Sequence, residues 1–386
     1  MSNRIMLRQN EMNSTDSNNT IAYIPILSNQ QPNFGSIVSW DVANFPGKIL
    51  DLQVILNCGP LANAGVASAV TNTPVMVSAF HWPIIQQYQY GNNVLEIQNN
   101  HHNYILQMLY NHDQDIRFLI GSSGGTQSQR FVLSNTTSNW NIPLKSFVNT
   151  IKVENLGLQY HNFRISLTLD QLVNLCTPVL GTITIPTMVI NSATLMAKVV
   201  RYDSMTIDFK QMQLKKNVNY RDIFFNHVSQ QFIANTGSLT SSILLSNFAN
   251  TNVQFVYFTI RPVASLIRET TATYINNITS FNLFNSTNES LSAGPISSLM
   301  SLMILNKANT KSSFTVDVGN SVFGYFHCLD PIKTMTYGTP SGSRPYTGSE
   351  SLFITWNAAL TAAHQVDVYA STISIFNQSM SSVIKQ

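Results

Sequence analysis

The sequence predicts an all-β protein made of two consecutive eight-stranded jelly-roll β-sandwiches, with a few short helices. Three observations carry this. Short apolar runs alternate with polar residues at a period of two. Gly, Pro, Asn and Ser clusters separate those runs. A strand pattern in the first half returns roughly 200 residues later, and a chain of this length suits two domains of about 150–200 residues each. The chain has 386 residues, 44% of them hydrophobic and 10% aromatic, so it can fill two cores.

Residues 1–34 are polar and poor in aromatics, which predicts a flexible N-terminal arm. The first jelly roll is expected over 35–190 and the second over 191–386. Leu50, Leu52, Val54 and Leu56 fall on one face of a strand. Strand-like runs follow at Pro74–Phe80, Arg117–Ile120 and Arg130–Leu133, and Ser122–Gly125 breaks the chain between the last two. Phe163, Ile165, Leu167 and Leu169 alternate with Arg164, Ser166 and Thr168 to give the clearest half-buried strand. Pro178, Gly181 and Pro186 then punctuate the chain before runs at Thr182–Ile190 and Ala197–Met212.

Tyr220, Phe224, Val228 and Phe232 recur every four residues, so Asn219–Phe232 is read as a helix, and Asn103–Asn111 as a second, short one. Ile243–Phe248 reads as a strand. Val253–Ile260 is apolar on both faces, as in a strand packed on two sides. Residues 268–312 form a Ser/Thr/Asn-rich excursion. Phe314–Val318, Val322–His327, Leu352–Trp356 and Gln365–Phe376 complete the strand series.

The halves echo each other. SIVSWDVANFPGKILDLQVILN in the first matches SSILLSNFANTNVQFVYFTIRP in the second, with Phe45 and Phe248 at the turns. Each half closes on an alternating strand, Phe163–Leu169 and Val366–Ile375, preceded by Trp140 and Trp356 respectively.

Charged residues are 10% of the chain, against roughly 25% in typical soluble domains. Asn, with 42 occurrences, supplies much of the polarity in their place, together with Ser, Thr and Gln. The net charge is +3, and the basic residues cluster weakly, at Lys215–Lys216 and at Arg4 and Arg8. No basic stripe for sequence-specific nucleic-acid binding is present. Cys58, Cys176 and Cys328 show no metal or disulfide spacing and read as buried small hydrophobes of a reducing compartment. No apolar run is long enough for a transmembrane helix, and the N-terminus lacks the apolar centre of a signal peptide.

Catalytic patterns for phosphate cradles, nucleophile elbows or zinc proteases do not occur. No catalytic, cofactor-binding or metal residue is assigned, and no enzyme activity is expected. His101, His102, His112, Asp113 and Asp115 form one His/carboxylate concentration whose side chains have metal-ligand chemistry. Their Asn/Gln-rich context reads as a surface loop, so no ion is expected there. His81, His161 and His364 read as structural histidines. Asp170, Asp203, Asp208 and Asp367 flank strands without pairing. Trp40, Trp82, Tyr88, Tyr90 and Trp140 could form a sugar platform in a lectin-like sandwich, but core packing explains them more cheaply.

Four segments resemble the double jelly-roll major capsid proteins of icosahedral DNA viruses, a family spanning large DNA viruses, virophages, polinton-like elements and tailless membrane-containing phages. IPLKSF (142–147) with GLQYHNFRISLTL (157–169) resembles the end of the family's first jelly roll. VVRYDSMTIDF (199–209) with YRDIFFNHVSQQF (220–232) is similar to the opening strand and following helix of its second. SNFANTNVQFVYFTIRP (246–262) is similar to an Asn-Phe strand of the family. PSGS (340–343) with HQVDVYASTISIF (364–376) is similar to its Pro-Ser-Gly turn and last strand. The large-virus proteins carry a longer first domain and a more acidic central motif, so the shorter chain points towards a small virus, a polinton-like element or a phage.

The resemblance implies a structural protein of the virion. A homotrimer would act as a pseudo-hexameric capsomer tiling an icosahedral shell. It would meet neighbouring capsomers, minor capsid and vertex proteins and, through the arm bearing Arg4, Met6, Leu7 and Arg8, an internal membrane. The alternative is a glycan- or receptor-binding β-sandwich such as a viral fibre, a minor capsid protein or a lectin-like protein. The neutral polar composition suits a shell, because charges buried unpaired between subunits are costly while Asn, Ser, Thr and Gln pair in many geometries.

Overall fold

The computed structural model describes residues 20–42, 47–63, 74–90, 93–99, 122–124, 127–144, 163–178, 186–202, 208, 220–263, 278–292, 322–329, 341–378 and 383–385. The chain divides into two compact units. One takes the residues up to Phe225 and again from Ser374, and the other takes Asn226–Ile373 among the described residues.

The main strands of the first unit are β1 (Thr20–Leu27), β2 (Ile37–Val42) and β3 (Gly47–Cys58), with short pieces β4 (Ala62–Asn63) and β5 (Pro74–Met76). Then come β6 (Pro83–Tyr90), β7 (Asn93–Asn99), helix α1 (Gln127–Asn135), β8 (Ser138–Leu144), β9 (Phe163–Leu169), the short β10 (Cys176–Pro178) and β11 (Pro186–Thr187), and β12 (Ile190–Arg201). Two antiparallel four-stranded sheets result, in the orders β1-β12-β3-β8 and β2-β9-β6-β7. Alternation decides which side chains face inward: Val38, Trp40 and Val42 from one sheet meet Leu52, Val54, Leu56, Leu195 and Ala197 from the other in one core. The Trp40 indole N–H donates to the Ala193 carbonyl 3.2 Å away, tying β2 to β12 across the sandwich. Trp82 and Trp140 pack with ring centroids 4.8 Å apart.

The second jelly roll is built from β13 (Tyr220–Ala234), β14 (Thr240–Leu244), β15 (Thr251–Pro262), β16 (Ile278–Phe284), β17 (Ser290–Ser292), β18 (Val322–Phe326), β19 (Arg344–Tyr346), β20 (Ser351–Trp356) and β21 (His364–Gln378), with β22 (Val383–Lys385) paired on the end of β21; the start of β13 up to Phe225, the end of β21 from Ser374 and β22 are grouped with the first unit. Its sheets run β13-β21-β15-β18, with β19 also on β15, and β14-β20-β16-β17. Val253, Phe258, Ile260, Val366 and Val368 face Ile243, Phe281, Leu283, Ile354 and Trp356 in a second core. Phe258 stacks on Phe323 and meets Phe281 edge-on, each at 5.2 Å.

Each unit therefore has the same strand order. The first strand lies beside the last, the last beside the third, and the second beside the penultimate long strand. This is the jelly-roll arrangement, repeated. It also corrects the internal alignment expected from sequence. By position in the sheets, β9 corresponds to β20 and β12 to β21, so Phe163–Leu169 is not the counterpart of Val366–Ile375.

Four other expectations change. Residues 220–232 are strand, not helix: a spacing of four also fits a period of two, and Val228 and Phe232 pack on the second core from one face of β13. Arg130–Leu133 is helical, with Arg130 and Ser134 buried a turn apart. The arm expected over 1–34 contains β1, whose Ala22, Ile24 and Ile26 pack on the first core while Thr20–Leu27 pairs with Thr194–Arg201. The boundary expected at 190 falls where β12 begins. β12 buries Ala193, Leu195, Ala197 and Val199 in the first core, so the first jelly roll runs past residue 200.

Candidate assembly surfaces

Four of the five aromatic residues that could form a sugar platform are core residues. Trp40, Trp82, Trp140 and Tyr88 are fully buried, and the Trp82 indole donates to the Val77 carbonyl at 3.0 Å. His81 and His364 are buried, and the His364 Nδ1 lies 2.7 Å from the Ala362 carbonyl. Asp170 accepts from the Gln171 amide at 2.7 Å and the Asn174 side chain at 2.9 Å, fixing the turn after β9. None of the three cysteines forms a disulfide and all are buried, and burial pushes the Cys58 thiol up to about 12. Such a thiol stays protonated and inert. His101, His102, His112, Asp113, Asp115, His161 and Asp203 lie outside the described residues, as do Arg4, Met6, Leu7 and Arg8. Among the described residues, no group of three or more His, Cys, Asp or Glu could hold a metal, and no helix is long and apolar enough to cross a membrane.

Asp367 is not isolated, as its sequence context suggested. Arg261 on β15 donates to it through Nε and Nη2, and the Gln365 amide donates to its other oxygen at 2.6 Å. Both members of the ion pair are almost wholly buried. The sequence holds a signal for this pair. Arg261 directly follows Val253–Ile260, a run apolar on both faces, where a charge needs a partner.

A second, half-buried polar group lies at the end of β18. The His327 Nε2 is 2.8 Å from the Tyr346 hydroxyl. Burial, aided by nearby Arg344, holds the His327 pKa down to about 4. Burial also pushes the Tyr346 phenol well above its ordinary range. For Glu350, burial favours the protonated form, but the Thr347 and Gly348 amides and the Thr347 hydroxyl more than offset it and hold the carboxyl below its ordinary value. These groups shape the β19–β20 turn.

The outward faces of the corresponding sheets differ between units. In the second, Phe255, Tyr257, Thr259 and Arg261 of β15 lie directly opposite Ser371, Tyr369, Asp367 and Gln365 of β21, and all eight are buried. Tyr257 and Tyr369 stack at 5.2 Å. In the first, the outward residues of β3 and β12 are half-buried or exposed, and β1 at the end of the sheet presents Ile21, Tyr23 and Leu27 at 57%, 60% and 72% exposure. A monomer rarely leaves such a row open without use. The other sheet of the first unit is outwardly polar around the Asp41–Arg164 ion pair, with Ile37 and Ile97 exposed.

No protein-family model and no curated protein sequence matches the chain. Solved structures do. The Faustovirus major capsid protein superposes with a TM-score of 0.71 at 10% identity, over 97% of this chain and 92% of its own. PBCV-1 VP54, fitted into a cryo-EM reconstruction of the virophage Sputnik, gives 0.68 at 13% identity, over 95% and 96%. The Sputnik virophage structure gives 0.61 at 9% identity, over 95% and 88%. At these identities the likeness establishes architecture, and with the repeated strand order it makes the chain a double jelly roll of the kind found in viral major capsid proteins.

Proposed function

We propose that this chain is a viral major capsid protein, a non-enzymatic building block that self-assembles into trimeric, pseudo-hexameric capsomers of an icosahedral shell. The observation that carries the reading is the duplication itself. Two jelly rolls of identical strand order in one chain give three copies six similar corners, which suit a hexagonal lattice. The match to capsid proteins extends over nearly the whole of both chains. The low charge agrees with close packing of many identical copies, since it limits both long-range repulsion and buried unpaired charge. Neighbouring capsomers, minor capsid and vertex proteins, and an internal membrane facing the N-terminal residues are the further partners of this reading. The glycan-binding alternative loses its platform, because Trp40, Trp82, Tyr88 and Trp140 are in the core.

Size-exclusion chromatography with light scattering tests it. A stable species at three times 43.0 kDa is expected. A chain that stays monomeric at high concentration overturns the proposal.

A further inference from the structure

We propose that the first jelly roll binds a water molecule in its interior, bridging the Gln86 and Gln98 side chains at the β6–β7 hairpin. The site stands independently of the capsomer reading. β7 lies at the end of its sheet, beside β6. In that pairing Gln86 is directly opposite Gln98, and Tyr88 directly opposite Glu96. All four are buried, while Ile85 and Ile97 at alternate positions are exposed, so the four side chains share the inward face. On its other side β6 sets Gln86 against Leu167 and Tyr88 against Ile165, both core residues. A polar quartet is thereby enclosed beside apolar side chains.

Two of its hydrogen bonds are internal. Gln98 Nε2 donates to Glu96 Oε1 at 2.6 Å, and the Tyr88 hydroxyl donates to Gln86 Oε1 at 3.4 Å. One end of each glutamine is left over: Gln86 Nε2 and Gln98 Oε1 have no hydrogen-bond partner among the described residues, although both side chains are fully buried. Leaving a buried amide end unpaired is costly, and ordered water is what satisfies such groups in protein interiors. The two atoms are a donor and an acceptor on directly opposed residues, whose Cβ atoms stand about 5 Å apart. One small molecule can therefore reach both. It must accept from Gln86 and donate to Gln98. Water does both; a metal cation cannot accept a proton from an N–H, and an anion has none to give. The bridge continues a chain from Tyr88 through Gln86 and Gln98 to Glu96, and it ties the inner side of the end strand to its neighbour.

A crystal structure of the full chain, at a resolution that shows ordered water, tests this. A density peak within about 3.2 Å of both Gln86 Nε2 and Gln98 Oε1 is expected. It should vanish in the double variant Gln86→Met/Gln98→Met, whose side chains match glutamine in length and carry no amide. An unfilled site, or the two amides bonded directly to each other, overturns the proposal. So does a peak about 2.0–2.6 Å from oxygen atoms, the spacing of a bound magnesium or calcium ion. Urea unfolding adds a second readout, because a shared water makes the two glutamines interdependent. The midpoint of the double variant should fall no further than that of the worse single variant, Gln86→Met or Gln98→Met, and additive falls overturn the bridge. Should the double variant fail to fold, the wild-type density decides by itself.

Discussion

Arg261 on β15 and Asp367 on β21 form a diagonal cross-strand ion pair, 2.9 Å from Nε and 2.6 Å from Nη2 to the same carboxylate oxygen, with both side chains removed from water. Removing one partner strands the other charge. Asp367→Ala should therefore destabilise the second unit by about 3–5 kcal/mol. The double variant Arg261→Met/Asp367→Leu should recover most of that loss, because desolvation offsets much of the attraction in a buried pair. Urea unfolding of the single and double variants measures both.

The Asp41–Arg164 pair is the contrasting case. Its Nε–Oδ1 distance is 2.8 Å, but Arg164 is 46% exposed. Asp41→Asn should cost less than about 1 kcal/mol, and less still at high salt. Urea midpoints at low and high ionic strength would show this.

His327 makes stability depend on pH. Its folded pKa, about 4, lies below the ordinary histidine value of 6.5. Between those values the unfolded chain binds a proton that the folded chain does not, so stability falls as pH falls. The loss begins near pH 6.5 and is complete below pH 4, at about 3 kcal/mol in total. His327→Gln, which can still pair with Tyr346, should flatten this part of the profile. Urea midpoints of both proteins at pH 7 and pH 4.5 provide the comparison.

Two glycines separate backbone strain from crowding. Gly237 (φ +84°) has open space where a Cβ would sit, whereas a Cβ on Gly348 (φ +90°) would lie 2.7 Å from the Ala249 Cβ. Gly237→Ala should cost about 1 kcal/mol, from the left-handed conformation alone. Gly348→Ala should cost about 3 kcal/mol, because overpacking adds to the strain. Denaturant midpoints would rank the two.

The strands that were readable from sequence are those with one wet face. β9 was found at its true limits because Arg164, Ser166 and Thr168 mark its outer side. β20 was readable for the same reason. β13 reads as helix in sequence because its apolar residues every fourth position satisfy both periodicities, and pairing with β21 settles which applies. α1 reads as strand because Phe131 and Val132 are exposed, so its apolar residues do not mark its buried side. The exposed apolar row on β1 is hidden in the sequence for a different reason. Ile21, Tyr23 and Leu27 look like core residues in a one-dimensional pattern, and it takes the register with β12 to show that they face outward.

The place of β1 also bears on how the chain is made. Thr20 pairs with Arg201 and Leu27 with Thr194, so β1 meets its partner only after nearly the whole first jelly roll has been translated. At typical ribosomal speeds that wait is roughly 10–40 s. During it the Ile21–Leu27 stretch has no strand to join, and pairing between such distant segments is intrinsically slow. Nascent chains are therefore most prone to aggregate in the interval before β12 emerges, and a host chaperone that holds this stretch would raise the yield of folded protein.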